Sequence, residues 1–140
     1  MLDKKIVEFI NQHHLLTLAT SKDNVPYCCN AFYVFNKENG SLIFSSDTST
    51  KHAQDFIKNP KVAGSISLET KEFGKIQGVQ LLGEIIKLKK GEGLEKASKQ
   101  YFKTYPYARL MDTYLWEMKL NFAKMTHNRL GFGKKLIWEK

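Results

Sequence analysis

Apolar residues along this chain change period several times, and each change marks a predicted element. Leu2, Ile6, Phe9, Ile10 and His13 recur at helical spacing, which predicts a short amphipathic helix at the start. Leu15-Leu16-Thr17-Leu18-Ala19-Thr20 then has the composition of a buried strand, closed by the turn-forming Ser21-Lys22-Asp23-Asn24. Pro26 opens a second strand over residues 27–35, at a strand end where a missing backbone N–H is tolerated. Asn36-Lys37-Glu38-Asn39-Gly40 reads as a hairpin turn and Ser41-Leu42-Ile43-Phe44-Ser45 as a third strand. Three strands on short turns make an antiparallel meander.

Asp47-Thr48-Ser49-Thr50 offers several N-caps for a helix with Ala53, Phe56 and Ile57 inward, stopped by Asn59-Pro60. Residues 62–68 read as a fourth strand. Residues 76–88 read as a long fifth strand, with Val79, Leu81, Gly83 and Ile85 alternating against Gly78, Gln80, Leu82 and Glu84 and a bend at the glycines. Leu94, Ala97, Ser98, Tyr101, Phe102 and Tyr105 form a helical stripe before Pro106. The tail predicts one strand near residues 115–120 and another near 123–126. Strands in the majority, with helices as plugs and caps, point to an α+β barrel.

At 140 residues, 42% hydrophobic and 26% charged, the chain has the length and balance of one globular domain. No apolar run approaches the roughly 20 residues of a membrane span, and the first residues lack the apolar core of a signal peptide. A soluble cytoplasmic protein without a membrane partner is therefore expected. The two cysteines, Cys28 and Cys29, are adjacent on a strand and point to opposite faces, which predicts free thiols. The net charge of +8 comes from 22 Lys and Arg that are mostly scattered, with short clusters at residues 87–90 and 134–135. No nucleic-acid motif or stacking platform accompanies them, so a nucleic-acid partner is not expected.

Three stretches carry candidate chemistry. Ser45-Ser46-Asp47-Thr48-Ser49-Thr50-Lys51-His52 places hydroxyls and a lysine at a helix start, where backbone N–H groups and the dipole favour an anion. A lysine there opposes the dipole; a phosphate would compensate it, and from spacing alone the pattern reads first as an ordinary Ser/Thr cap with a solvated lysine. Asn30, Gln77 and Gln80 stand on strands of buried character, where amides need partners, supplied either by a heteroaromatic ligand or by neighbouring backbone. Phe32, Tyr33 and Trp116 either flank such a ring or pack in the core. Gly131-Phe132-Gly133-Lys134-Lys135 is either a close-approach loop over an anion or a tail hairpin. The histidines His13, His14, His52 and His127 share no metal-ligand spacing, and no nucleophile–base pairing is legible, so no metal site and no catalytic side chain is assigned.

These stretches, with Asn30-Ala31-Phe32-Tyr33-Val34-Phe35, Thr50-Lys51-His52-Ala53-Gln54, Val62-Ala63-Gly64, Gly78-Val79-Gln80, Gly83-Glu84-Ile85, Trp116-Glu117 and the Leu130-Gly131-Phe132-Gly133-Lys134-Lys135 block with Trp138, carry a resemblance. The chain resembles the FMN-binding split-barrel superfamily related to pyridoxamine 5'-phosphate oxidase, most closely its small bacterial YhbP-type members. The resemblance implies an α+β fold, a six-stranded antiparallel split β-barrel with flanking helices, and flavin mononucleotide (FMN) bound in a homodimer. It implies that Asn30, Ala31, Phe32 and Tyr33 run beside the flavin ring. Ser45, Ser46, Thr50 and Lys51 would hold the phosphate, and Gln77 and Gln80 would reach the ring or ribityl chain. Trp116 and the 131–135 loop would close the site. The Arg-x-His motif of true pyridoxamine-phosphate oxidases is missing, since Arg129 follows His127-Asn128, so oxidation of vitamin B6 is not the expected reaction. The expected activity is that of an FMN-dependent oxidoreductase. The alternative is a non-enzymatic flavin- or haem-binding protein, with a histidine as iron ligand.

Overall fold

The computed structural model describes residues 1–111 and 114–140. Helix α1 (Lys4–Gln12) is capped by the Asp3 carboxylate, which accepts from the Lys5 amide, and it buries Ile6, Phe9 and Ile10. Strands β1 (Leu15–Lys22) and β2 (Val25–Asn36) are joined through Asp23 and Asn24, both at positive φ, the geometry of a tight two-residue hairpin. Strand β3 (Ser41–Ser46) leads into α2 (Lys51–Lys58), followed by β4 (Lys61–Ser67) and β5 (Gln77–Lys87). Helix α3 (Glu92–Thr104) precedes the long β6 (Tyr114–His127) and the short β7 (Lys135–Glu139).

The strands pair antiparallel in the order β3-β2-β1-β4-β5-β6-β7, and β3 also pairs with β6. The first six therefore close into a barrel, which removes the exposed edges of an open sheet. β6 changes partner along its length. Residues 114–119 pair with β3 and residues 122–126 with β7, while β5 runs along the other side of both halves. The tail thus departs from the expected pair of short strands: 115–120 and 123–126 belong to one strand with an irregularity against Leu82 and Gly83, and β7 is an addition. The two-residue period breaks at the irregularity, which makes one bulged strand look like two in sequence.

The alternation of each strand fills the barrel. Leu16 and Leu18, Tyr33 and Phe35, Leu42 and Phe44, Ile66, Leu81, Trp116 and Met118 share one core with the buried faces of α1 and α2. Each such side chain contributes roughly 1.5–3 kcal/mol on burial. Helix α3 lies outside, where Ala97 and Tyr101 pack on Val34, Ile43 and Leu115. On α2 the inward face is Ala53, Asp55 and Phe56, whereas Ile57, expected inside, is exposed. A charged residue takes the place of an apolar one because its partners lie beneath the helix.

Candidate functional site

The start of α2 sits at one end of the barrel. Asp47 shapes the turn that enters it, accepting from the Ser49 amide at 2.9 Å. Thr50 is the N-cap: its hydroxyl donates to the Asp47 carbonyl at 2.8 Å and accepts from the Ala53 amide at 3.2 Å. The first intrahelical bond runs from the Gln54 amide to the Thr50 carbonyl, so the amides of Lys51 and His52 precede it and point out of the helix start. Free amides and the dipole at a helix start favour an anion. Ser46, the last residue of β3, is held from two sides. Its hydroxyl lies 2.6 Å from His52 Nε2, and its carbonyl accepts from Trp116 Nε1 at 3.0 Å. Burial holds the His52 imidazole below its ordinary titration range, partly opposed by the Asp55 charge.

Lys51 folds back along the helix. Its Nζ is 3.1 Å from both carboxylate oxygens of Asp55 and 4.9 Å from the centre of the Tyr27 ring, with its side chain 50% exposed. Asp55 is 1% exposed and also accepts from the Thr20 hydroxyl at 3.0 Å. Burial pushes its carboxyl up, and the hydrogen bonds from Lys51 and Thr20 with the charges of Lys51 and Lys22 outweigh that, leaving it below the usual range. The lysine that opposes the dipole is thus already compensated, by Asp55 one turn further on. Sequence reading missed this pair; the i,i+4 spacing of Lys51 and Asp55 was the available signal.

A second group lies on the outer face of the barrel. The pairing register aligns Asn30, Thr17, Ser65, Gln80 and Lys124 into one row across five strands. The Thr17 hydroxyl donates to Asn30 Oδ1 at 3.0 Å. Beside this row run Cys28, Ala19, Ala63 and Leu82. On its other side Phe32, 51% exposed, stacks on Tyr105 with ring centres 5.5 Å apart. Asn30 and Gln80 are exposed, contrary to their expected burial, because the inward positions of their strands are taken by Cys29, Ala31 and Tyr33 and by Val79 and Leu81. Their amide groups face outward, available to a ligand or partner laid on the sheet.

The remaining candidates separate. Ser45 and Ala31 are half-buried, whereas Tyr33 and Trp116 lie in the core. The Tyr33 hydroxyl donates to the Ile10 carbonyl at 2.7 Å, and Trp116 packs edge-on against Phe56. Gln77 is half-buried and pairs with His127 at the other end of β5 and β6. There Asn128 ties the 131–135 loop down, accepting from the Gly133 amide and donating to the Phe73 carbonyl. Trp116, which is hydrogen-bonded to Ser46, and His127, beside that loop, stand eleven positions apart on β6, so the loop and the start of α2 lie toward opposite ends of this strand. A cleft of about 760 Å³ between α1, the β2–β3 turn and β7, with Leu2, Val7, Phe35, Leu120 and Trp138 in its walls, contains none of the expected site residues. Among the described residues no group of three or more His, Cys, Asp or Glu side chains could hold a metal ion. Both cysteines are free, and burial with the neighbouring Cys28 pushes the Cys29 thiol up to about 11.

A closed six-stranded antiparallel barrel with three α-helices is the architecture shared with the split-barrel proteins related to pyridoxamine 5'-phosphate oxidase. Residues 2–127 match the family described as pyridoxamine 5'-phosphate oxidase, and the chain belongs to that family. A UPF0306 protein of Photorhabdus laumondii is 36% identical over 135 residues, covering 96% of this chain and 94% of that one. Among solved structures, a heme binding protein from Mycobacterium smegmatis superposes with a TM-score of 0.80 at 15% identity, covering 99% of this chain and 59% of that one. An FAD-binding protein from Mesorhizobium loti superposes with a TM-score of 0.75 at 13% identity, covering 89% and 94%. Among the described residues no helix is long and apolar enough to cross a membrane.

Proposed function

We propose that this protein binds FMN as a homodimer and works as an FMN-dependent oxidoreductase. The observation that carries this reading is the start of α2. There the amides of Lys51 and His52 precede the first intrahelical bond, Thr50 caps the helix, and Lys51 brings a half-exposed cationic side chain, a set of groups suited to a phosphate monoester. The residues fit the group: Lys51 and the helix-start amides would hold the phosphate. Asn30 and Gln80, facing outward in one polar row, would offer amides to the flavin ring, and Phe32 an apolar flank. Ser46 and Trp116 would act from behind, by fixing the end of β3. Gln77 and the 131–135 loop lie too far along β5 and β6 to reach the same phosphate. In the proposed dimer that end of the barrel would come from the partner subunit. When bound, the flavin supplies the hydride and electron chemistry, and the chain binds and orients it.

FMN titrated into the purified protein should quench its flavin fluorescence with saturation, and Lys51→Ala should weaken that binding by roughly tenfold or more. Unchanged flavin fluorescence across the titration overturns the reading. Anaerobic bleaching of the bound flavin by NADH or NADPH then reads the enzymatic part. The similarity to the Mycobacterium smegmatis heme binding protein supports a second reading, a haem-binding protein. A Soret band on haem addition, abolished by replacing one of His13, His14, His52 or His127, would favour it. The flavin reading is preferred because the start of α2 offers groups suited to an anion, while His52 Nε2 is engaged by Ser46.

A further inference from the structure

Glu117 is a buried carboxylate with no cationic partner among the described residues. It stands on the outer side of β6, opposite Ile43 of β3 and Ile86 of β5, and is 8% exposed. One oxygen is held. Oε1 accepts from the Ser41 hydroxyl at 2.5 Å and from Asn39 Nδ2 at 3.3 Å, which ties β6 to the turn between β2 and β3. Among the described residues Oε2 has no hydrogen-bond partner. Asp55, likewise buried, has the Lys51 ammonium on both of its oxygens. A carboxylate taken out of water without a counter-charge is costly, and buried charges are ordinarily paired.

Glu117 also lines a cavity of about 310 Å³ between that turn, β6 and the start of α3, within the size range of small-ligand sites. The chain carries a net charge of +8, yet this cavity is acidic. Glu38 and Glu92 line it with Glu117, against Lys96 alone, and the Lys96 ammonium is already 3.1 Å from Glu92. Ile43, Leu88 and Ala97 supply an apolar part of the wall. Among the described residues no three acidic, His or Cys side chains could hold a metal ion, so the uncompensated charge suits an organic cation.

We propose that this cavity binds a small alkyl diamine, with one ammonium on Glu117 and the methylene chain against Ile43, Leu88 and Ala97. An ammonium brings three donors and no acceptor, which suits the unengaged oxygen of Glu117 and the unpaired carboxylate of Glu38. The methylenes gain from apolar contact. None of the residues assigned to the flavin takes part, so the two readings stand or fall separately. A purely structural Glu117 needs only an acceptor for Ser41 and Asn39, and a glutamine supplies one. A cation site needs the charge.

The test titrates diaminobutane into the full chain at constant ionic strength and follows the amide NMR resonances. The Gly93 backbone amide and the Asn39 side-chain amide, both in the cavity wall, should shift with saturation. Butanediol, of the same length without charge, should leave them in place. Glu117→Gln should fold and weaken diamine binding by roughly tenfold or more, the loss of a charge-assisted hydrogen bond. Glu92→Gln, at an exposed position of the same wall, should weaken it by roughly two- to fivefold. The proposal is overturned if the unaltered chain shows no saturating shift, if butanediol reproduces it, or if folded Glu117→Gln binds the diamine as tightly. If Glu117→Gln does not fold, Glu92→Gln decides: weakened binding supports the site, and unchanged binding overturns it.

Discussion

His52 illustrates how a residue at the start of α2 ties protonation to folding. Its Nε2 lies 2.6 Å from the Ser46 hydroxyl, and burial lowers its pKa below the ordinary 6.5, with Asp55 pulling the other way. A folded state that disfavours imidazolium binds fewer protons than the unfolded chain once the pH falls through the unfolded value. The contribution of His52 to stability is therefore complete above about pH 6.5 and is lost as the pH falls toward its folded pKa. His13, lowered by burial and His14, and His127, lowered by burial, Lys5 and Arg129, act in the same direction. The melting temperature should fall between pH 7.5 and pH 5, and His52→Gln should make that slope shallower. A slope that His52→Gln leaves unaltered would remove His52 from the account. Tyr33 marks the limit of motif reading at this scale. It stands in the Asn30-Ala31-Phe32-Tyr33 stretch, yet its hydroxyl serves the last turn of α1 through Ile10. Strand alternation separates the motif's outward Asn30 and Phe32 from its inward Tyr33.

At the level of elements, the hydrophobic period located β1 to β5 and the three α-helices, because each buries a face whose repeat is local in sequence. It failed where the deciding contact was distant. The inward face of α2 includes Asp55 because Thr20, 35 residues earlier, waits beneath it, and no window centred on the helix contains Thr20. β6 looked like two strands because Asn121 adds a residue opposite the Leu82–Gly83 step. At that step Gly83 lies so close to β6 that a Cβ would run into the Lys119 carbonyl oxygen, a backbone atom that cannot swing aside. Gly83→Ala should therefore destabilise the fold by roughly 1–3 kcal/mol, the cost typical of overpacking. Gly93, in the first turn of α3 with open space around it, is the matched control. Gly93→Ala should be neutral or stabilise by up to about 1 kcal/mol. Denaturant unfolding of the two variants reads both. Equal behaviour would mean that the close approach of β5 and β6 at the bulge is not a constraint on the fold.

For the molecule as a whole, closure of the barrel depends on pairings that link remote stretches: β1 with β4, and β3 with β6 across some 70 residues. Strand periodicity is blind to such partners, so the closed topology came from the resemblance rather than from the pattern. What the pattern does expose is an outer face that one chain leaves uncovered. Leu15, Phe32, Leu82 and Ile137 are all exposed there, around the polar row that holds Asn30 and Gln80. Large apolar side chains left exposed on a sheet face suit a partner laid over them. If the partner is a second copy and the flavin lies between them, ligand binding and association are linked: anything that binds only the dimer favours the dimer, and dilution weakens the apparent affinity. Leu82, 47% exposed beside Ala63, tests this without touching the start of α2. Leu82→Lys should sediment as one chain and lose FMN affinity, while its circular dichroism spectrum stays that of the folded barrel because the side chain is outside the core. An unaltered protein that sediments as one chain with FMN bound would refute the shared site, and would place the flavin within a single barrel.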